Sequence, residues 1–195
     1  LEIPFYGTIF EVGVLIFEQL LLTSIFVNLV EQAKTRSELE VYERLLKEDR
    51  MTGINNRTAF EEQLQDIEDH AQDYDNAALI FMDVDGLKNT NDLYGHNAGD
   101  ELIISAALCI KNVFATYGKC YRIGGDEFVV IYPDILQQQF EFLINQLRLN
   151  ARQHHVSISC GSVWRTECMA LDEMLKEADE KMYEDKKKFY EKREH

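Results

Sequence analysis

The chain has 195 residues, of which 46% are hydrophobic, enough for one domain with a full core plus some further structure. Thirty-five acidic residues against 20 basic ones leave a net charge of −15. This acidity argues against a duplex-DNA or RNA binder, whose surface must be basic to release counterions, but leaves room for a nucleotide, which needs only a few local cations.

The chain opens on Leu1 rather than Met, as expected of a fragment with a sensor upstream. Residues 7–30 (GTIFEVGVLIFEQLLLTSIFVNLV) are apolar over a length that suits a bilayer, which takes about 20 residues to cross. Glu11, Glu18 and Gln19 interrupt the run. Carboxylates in lipid cost about 3 kcal/mol each and usually face a protein partner or a cavity. The last helix of a larger membrane bundle is therefore a better reading than an isolated span. A buried helix of a soluble protein or a dimer-forming helix is the alternative. A cleaved signal peptide is not expected, because there is no basic leader or small-residue cleavage site. Lys34 and Arg36 follow the run and residues 1–6 carry no Lys or Arg, which puts the C-terminal side in the cytoplasm.

Residues 31–49 are charged and helix-favouring. Leu39, Tyr42 and Leu46 follow the 3-then-4 spacing of a coiled-coil seam, although so short a stretch also suits a solvated linker helix. Residues 50–195 read as one domain. Phe60, Leu64, Ile67 and Ala71 form a helical face, capped by Asn56 or Thr58. Ala77–Val84 is a short apolar run suited to a buried strand, and residues 99–116 form a second helix ending near Gly118. Cys120–Ile123 and Phe128–Tyr132 flank Gly124 and Gly125 and predict a hairpin. A helix over 135–150, a strand marked by Val156, Ile158 and Cys160, and a last helix with Leu171, Met174, Leu175, Ala178 and Met182 on its apolar face complete the domain. Cys109, Cys120, Cys160 and Cys168 form no C-x-x-C pair and read as reduced, buried thiols.

Three stretches could carry chemistry. Asp83 and Asp85 stand two apart at the end of the buried strand, hence on one side of it. Their mutual repulsion is relieved by a hard cation such as Mg2+, or they simply cap the next helix. In Arg122-Ile-Gly-Gly-Asp-Glu-Phe128 the glycines permit close backbone approach to a phosphate and leave Asp126 and Glu127 at the turn. If this hairpin pairs beside the Asp83 strand, three carboxylates meet in a two-metal site for phosphoryl displacement; otherwise it is an ordinary acidic turn. In the third, Lys88 to Asp100, Asn91 and Asp100 flank a Gly-rich turn. A carboxylate there can accept both hydrogen bonds offered by guanine N1–H and its 2-amino group, which adenine lacks. Lys88 could meet a phosphate. Turn and cap chemistry would use the same residues.

Together, Asp83-x-Asp85-x-Leu87-Lys88-x-x-Asn91-Asp92, Gly95-His96-x-x-Gly99-Asp100 and Arg122-x-Gly124-Gly125-Asp126-Glu127-Phe128 resemble the GGDEF domain of the diguanylate cyclases in order and spacing. The entry segment Asp49–Arg57, the stretch Ser159-Cys160-Gly161, and Ala178-Asp179 through Tyr183 to Lys186 extend the resemblance over residues 49–186. More weakly, residues 7–30 resemble the last transmembrane helix of bacterial seven-helix sensory receptors.

The family resemblance implies an α+β sandwich: a ferredoxin-like, polymerase-palm-type sheet flanked by helices, here preceded by a long N-terminal helix. With the composition of the N-terminal stretch, this divides the chain into a transmembrane or membrane-proximal helix (1–30), a signalling helix or short coiled-coil linker (31–49) and a catalytic domain (50–195). The resemblance implies an enzyme that condenses two GTP into cyclic di-GMP across a homodimer, with Mg2+ or Mn2+ as cofactor. The catalytic domain would be cytoplasmic and anchored in the bacterial inner membrane, with no nucleic-acid polymer as partner. By position, Asp83, Asp126 and the Val84 carbonyl would hold the cation, with Glu127 at a second ion. Asp126 is also the candidate acceptor of the 3′-hydroxyl proton. Gly124 and Gly125 would lie along the triphosphate, Lys88 and Lys186 would hold its β- and γ-phosphates, and Asn91 and Asp100 would read guanine. His96 is placed near substrate, or is only a turn residue.

The chain departs from the family in three places. Ala115 and Gly118 stand where many members carry the Arg-x-x-Asp inhibitory product site, so no such site is expected. Tyr190 stands where an Arg usually contacts phosphate, which points to weaker GTP binding unless Lys187 or Lys188 substitutes. Leu87 replaces a Phe, an apolar exchange of little expected consequence. The competing reading is a GGDEF module that binds GTP and regulates a partner.

Overall fold

The computed structural model describes residues 3–116, 118–166 and 171–191, and the chain divides into two units, Leu1–Leu46 and Lys47–His195.

In the first unit a single helix, α1 (Ile3–Lys47), runs without a break from the apolar stretch through the charged one. Phe10–Leu39 is long and apolar enough to cross a membrane, and none of it is buried. A helix apolar on all sides needs lipid or protein around it. Its polar side chains are partly satisfied from within: the Thr23 and Thr35 hydroxyls donate to the carbonyls of Gln19 and Glu31 at 2.7 and 3.0 Å. Leu39, Tyr42 and Leu46, the residues with seam spacing, are all exposed.

The second unit is built on a four-stranded, wholly antiparallel sheet in the order β2-β3-β1-β4, with β1 Ala77–Val84, β2 Lys119–Arg122, β3 Glu127–Pro133 and β4 Ile158–Arg165. Strand β1 is buried at every position, as its unbroken apolar run requires of a central strand covered on both faces. Its side chains alternate between two cores. Ala78, Ile80, Met82 and Val84 pack with α4 (His96–Phe114) and α5 (Gln137–Gln153). Ala77, Leu79 and Phe81 pack with α2 (Arg57–Asp69) and α6 (Leu171–Glu191). This is the α+β sandwich of ferredoxin-like kind that the sequence implies. The same alternation carries Asp83 to the α6 side.

The local expectations hold with shifted ends. The Asn56 side chain caps α2 by accepting from the Ala59 N–H at 3.1 Å. Phe60 and Ile67 are buried beneath that helix, and Leu171, Met174, Ala178 and Met182 are buried beneath α6. Val156 lies before β4 rather than in it, because its N–H is taken by the Ala151 carbonyl at the end of α5. The main difference is at residues 87–94, to which the sequence pattern assigned no element. They form a helix, α3 (Leu87–Tyr94), and α4 starts directly after Gly95, at His96 rather than at residue 99. The edge of β2 is covered by the leading segment: Asn55 exchanges backbone bonds with Cys120 and Arg122. Cys109, Cys120 and Cys160 are buried free thiols, with Cys120 pushed up to about 12 by burial. Cys168 lies outside the described residues.

Candidate active site

The β2–β3 turn is joined to the end of β1. Asp83 is in register with Glu127, and the Val84 N–H donates to the Asp126 carbonyl at 3.0 Å. Within the turn, the N–H groups of Ile123 and Gly124 both donate to the Glu127 carbonyl, at 3.0 and 3.4 Å. The hairpin therefore does pair beside the Asp83 strand, and Gly124, Gly125, Asp126 and Glu127 are held against the end of β1. Val84, whose carbonyl is the candidate ligand, is the last residue of that strand.

Asp83 is only 5% exposed, and its Oδ1 accepts from Lys186 Nζ of α6 at 2.6 Å. Burial pushes the Asp83 carboxyl up, the Lys186 ammonium opposes this, and the like charges of Asp126 and Asp85 add to the rise. Lys186 feels the reciprocal field. Burial works against its charge, but the Asp83 carboxylate outweighs burial and holds the ammonium above its ordinary value.

Asp85 lies one residue beyond the strand and has partners of its own: its two oxygens accept from the hydroxyls of Ser157 and Ser159 at 2.9 and 2.7 Å. Those bonds satisfy a buried carboxylate that would otherwise need a counter-charge. Among the described residues no three His, Cys, Asp or Glu side chains gather closely enough to cage a metal, so the expected meeting of three carboxylates is not seen. The donor set still suits Mg2+, which is usually held through one or two carboxylates with substrate phosphates completing the shell. Buried Asp83, with the charge of Asp126 beside it, meets that need.

The other end of the site is the α3–α4 pair. Gly95, at φ 85°, turns the chain between the two helices. Gly99 lets α3 come close, since a Cβ there would collide with Asn91 Oδ1. Asn91 is thereby lodged against the first turn of α4, beside exposed Asp100. Asn91 Oδ1 is buried and has no hydrogen-bond partner among the described residues. An orphan acceptor of this kind is costly and calls for a donor. Lys88 on α3 and His96 at the head of α4 are exposed.

Arg122 is a site residue whose role the sequence reading missed. Its Nη2 donates to the Gly125 carbonyl at 2.7 Å and its Nη1 to Asp49 Oδ1 at 3.0 Å. The same Asp49 oxygen accepts from the Thr52 N–H and hydroxyl, at 3.0 and 2.6 Å. The guanidinium thus straps the Gly-Gly turn to the leading segment. The Asp-x-x-Thr spacing was a usable signal for the local half of this arrangement, but nothing local pointed to Arg122.

At the departures from the family pattern, Lys187 Nζ lies over the Tyr183 ring, 4.4 Å from its centroid, and the Tyr190 ring packs edge-on against Phe189. Gly118 lies beneath the Tyr132 ring, where a Cβ would fall 2.5 Å from Cε1, and Ala115 only caps α4. An Asp at 118 would have to displace Tyr132, so these positions cannot form the inhibitory pair without rearrangement.

Comparison with known proteins agrees with this geometry. The model of the diguanylate cyclase GGDEF domain matches residues 46–192. The uncharacterized protein YtrP of Bacillus subtilis is 33% identical over 88% of this chain, and diguanylate cyclase DgcS of Shewanella oneidensis is 30% identical over 71%. The chain spans only 30% and 49% of those two relatives. The fold is shared with the coiled coil and GGDEF domain of DgcB from Caulobacter crescentus, solved in complex with c-di-GMP. That match has a TM-score of 0.70 at 23% identity and covers 86% of this chain and 94% of that one. With its signature turn intact at the end of β1 and a family match over most of its length, this chain belongs to the GGDEF-domain family of diguanylate cyclases.

Proposed function

We propose that the chain condenses two GTP molecules into cyclic di-GMP, releasing two pyrophosphates, with one GTP bound per protomer and two protomers facing each other. The observation that carries this reading is the intact Gly124–Glu127 turn joined to the end of β1, with buried Asp83 and Lys186 beside it. The 3′-oxygen of each GTP attacks the α-phosphorus of the other, the α–β bridging bond breaks, and pyrophosphate leaves. The second transfer closes the ring.

Gly124 and Gly125 let the triphosphate approach the backbone, while Lys88 and Lys186 hold its β- and γ-phosphates. Asp126 takes the proton of the attacking hydroxyl. Asn91 and Asp100 read the guanine edge, with His96 near the substrate. Asp83, Asp126 and the Val84 carbonyl would hold Mg2+ or Mn2+, with Glu127 at a second ion. Such ions lower the pKa of the attacking hydroxyl and neutralise charge on the leaving group. The protein's own contribution is largely position and fixed charge.

Residues 1–30 would anchor the chain in the bacterial inner membrane and residues 31–49 would transmit signal by setting the geometry of the pair. The domain from residue 50 onward would work in the cytoplasm. The unburied apolar span Phe10–Leu39 supports the anchor. The second reading, a GTP-binding regulatory module, is favoured by one residue, Tyr190, where the family usually has Arg. Incubation with GTP and Mg2+, followed by mass spectrometry, separates the two. The first predicts cyclic di-GMP from the wild type and none from Asp126→Ala. GTP bound but unchanged would support the second.

A further inference from the structure

The ion pair between Lys186 and Asp83 joins two groups that the proposed reaction needs for different ligands. Asp83 is required by the cation and Lys186 by the triphosphate. In the folded chain they neutralise each other: Nζ lies 2.6 Å from Oδ1, with the lysine side chain 27% exposed and the aspartate side chain 8%. A cation is needed here with or without ligand, because Asp83 is buried and shares its surroundings with the negative charges of Asp126 and Asp85. Asp85 has hydrogen-bond partners of its own, Ser157 on one oxygen and Ser159 on the other.

A divalent ion arriving alone at Asp83 would meet the Lys186 ammonium only a few ångströms away. Repulsion at that range in a half-buried site is strong. A triphosphate offers Lys186 another anion, and the same movement frees Asp83. Each ligand therefore removes the obstacle to the other, and the coupling must be reciprocal.

We infer that Lys186 is a gate as well as a phosphate ligand: paired with Asp83, it keeps divalent cation out of the nucleotide-free site, so that cation and triphosphate enter together. This rests on the proposed nucleotidyl-transfer site. It assigns to Lys186 a second effect opposite in sign to the first, because its removal should weaken nucleotide binding and strengthen cation binding.

The test is a Mn2+ titration of the full chain in detergent without nucleotide, reading free Mn2+ by electron paramagnetic resonance. Lys186→Gln keeps the length of the side chain and removes its charge. If the ion pair closes Asp83 in about nine of ten molecules, Lys186→Gln should bind Mn2+ about tenfold more tightly than wild type. Lys186→Arg should stay at the wild-type level, and adding Asp83→Asn to Lys186→Gln should abolish the gain. Equal or weaker Mn2+ binding by Lys186→Gln, or a gain that survives Asp83→Asn, overturns the gate, as does a lack of Mn2+ binding by every variant. Circular dichroism on each variant removes misfolding as a cause. No turnover is read, so a failed gate leaves the cyclase reading standing wherever wild type makes cyclic di-GMP. Conversely, a failed cyclase reading shows as absence of product whatever the Mn2+ result.

Discussion

The hairpin end of the site and its α3–α4 end differ in how far the chain completes them by itself. At the hairpin end, strand register places Glu127 opposite Asp83, Arg122 straps the turn to Asp49, and the Asp83 charge is met by Lys186. At the α3–α4 end, Lys88, His96 and Asp100 are exposed and the buried Asn91 Oδ1 lacks a partner among the described residues. The transfer chemistry proposed for the first end tolerates little misplacement, and two of its carboxylates, Asp83 and Glu127, stand on paired strands. Recognition of a base can leave its polar groups waiting for the ligand that completes them. The difference predicts that substitutions at the first end destroy turnover, whereas those at the second change which nucleotide is used.

The largest effect should come from Asp126→Ala, with loss of cyclic di-GMP formation by about a thousandfold while the circular dichroism spectrum is unchanged. Next is Asp100→Ala at the other end. Without its carboxylate, the preference for GTP over ATP should narrow by about 10–100-fold, measured as the ratio of kcat/KM values. If Asp100→Ala instead lowered kcat alone, with the preference intact, the division between the two ends would fail.

The strap offers a finer probe of the hairpin end. Asp49→Asn should reduce kcat by about tenfold with little change in KM, because a loosened turn misplaces Asp126 without removing any substrate contact. It also carries a pH signature. Burial pushes the Asp49 carboxyl up, but hydrogen bonds from Thr52 and Arg122 outweigh burial and hold it below its ordinary 3.8. A depressed carboxyl contributes stability above its unfolded pKa and loses it as pH falls through the folded one. Asp49→Asn should therefore flatten the acid limb of the unfolding curve below about pH 4, followed by far-ultraviolet circular dichroism. The smallest expected effect is that of Tyr190→Arg. A cation one helical turn beyond Lys186 should lower KM for GTP by about two- to fivefold, within the range of a charge-assisted contact at an exposed position.

Elements whose cause is local were legible in the sequence. Ala77–Val84 is apolar without interruption, and a Gly-Gly turn between β-prone runs makes a hairpin wherever it falls. The α3 helix escaped because LKNTNDLY is short and polar, with no apolar period to read, and its end is set by Gly95. The partners of Asp85, the hydroxyls of Ser157 and Ser159, were not legible because they lie on a distant segment. Arg122 and Asp49, 73 positions apart, and Lys186 and Asp83, 103 apart, meet only through the folded sheet. Family resemblance located all four residues and suggested neither pair. The α1 helix is the reverse case: composition marks out two segments, but backbone geometry runs through both without a break.

The central claim, that two protomers each present one GTP across a shared site, is tested most directly by the initial rate of cyclic di-GMP formation as protein concentration is lowered. The account predicts that the rate per protein molecule falls on dilution and is restored when residues 31–195 are fused to a leucine zipper. A rate per molecule independent of concentration and of the zipper would contradict the two-protomer mechanism, and no cyclic di-GMP even from the forced dimer would contradict the cyclase itself.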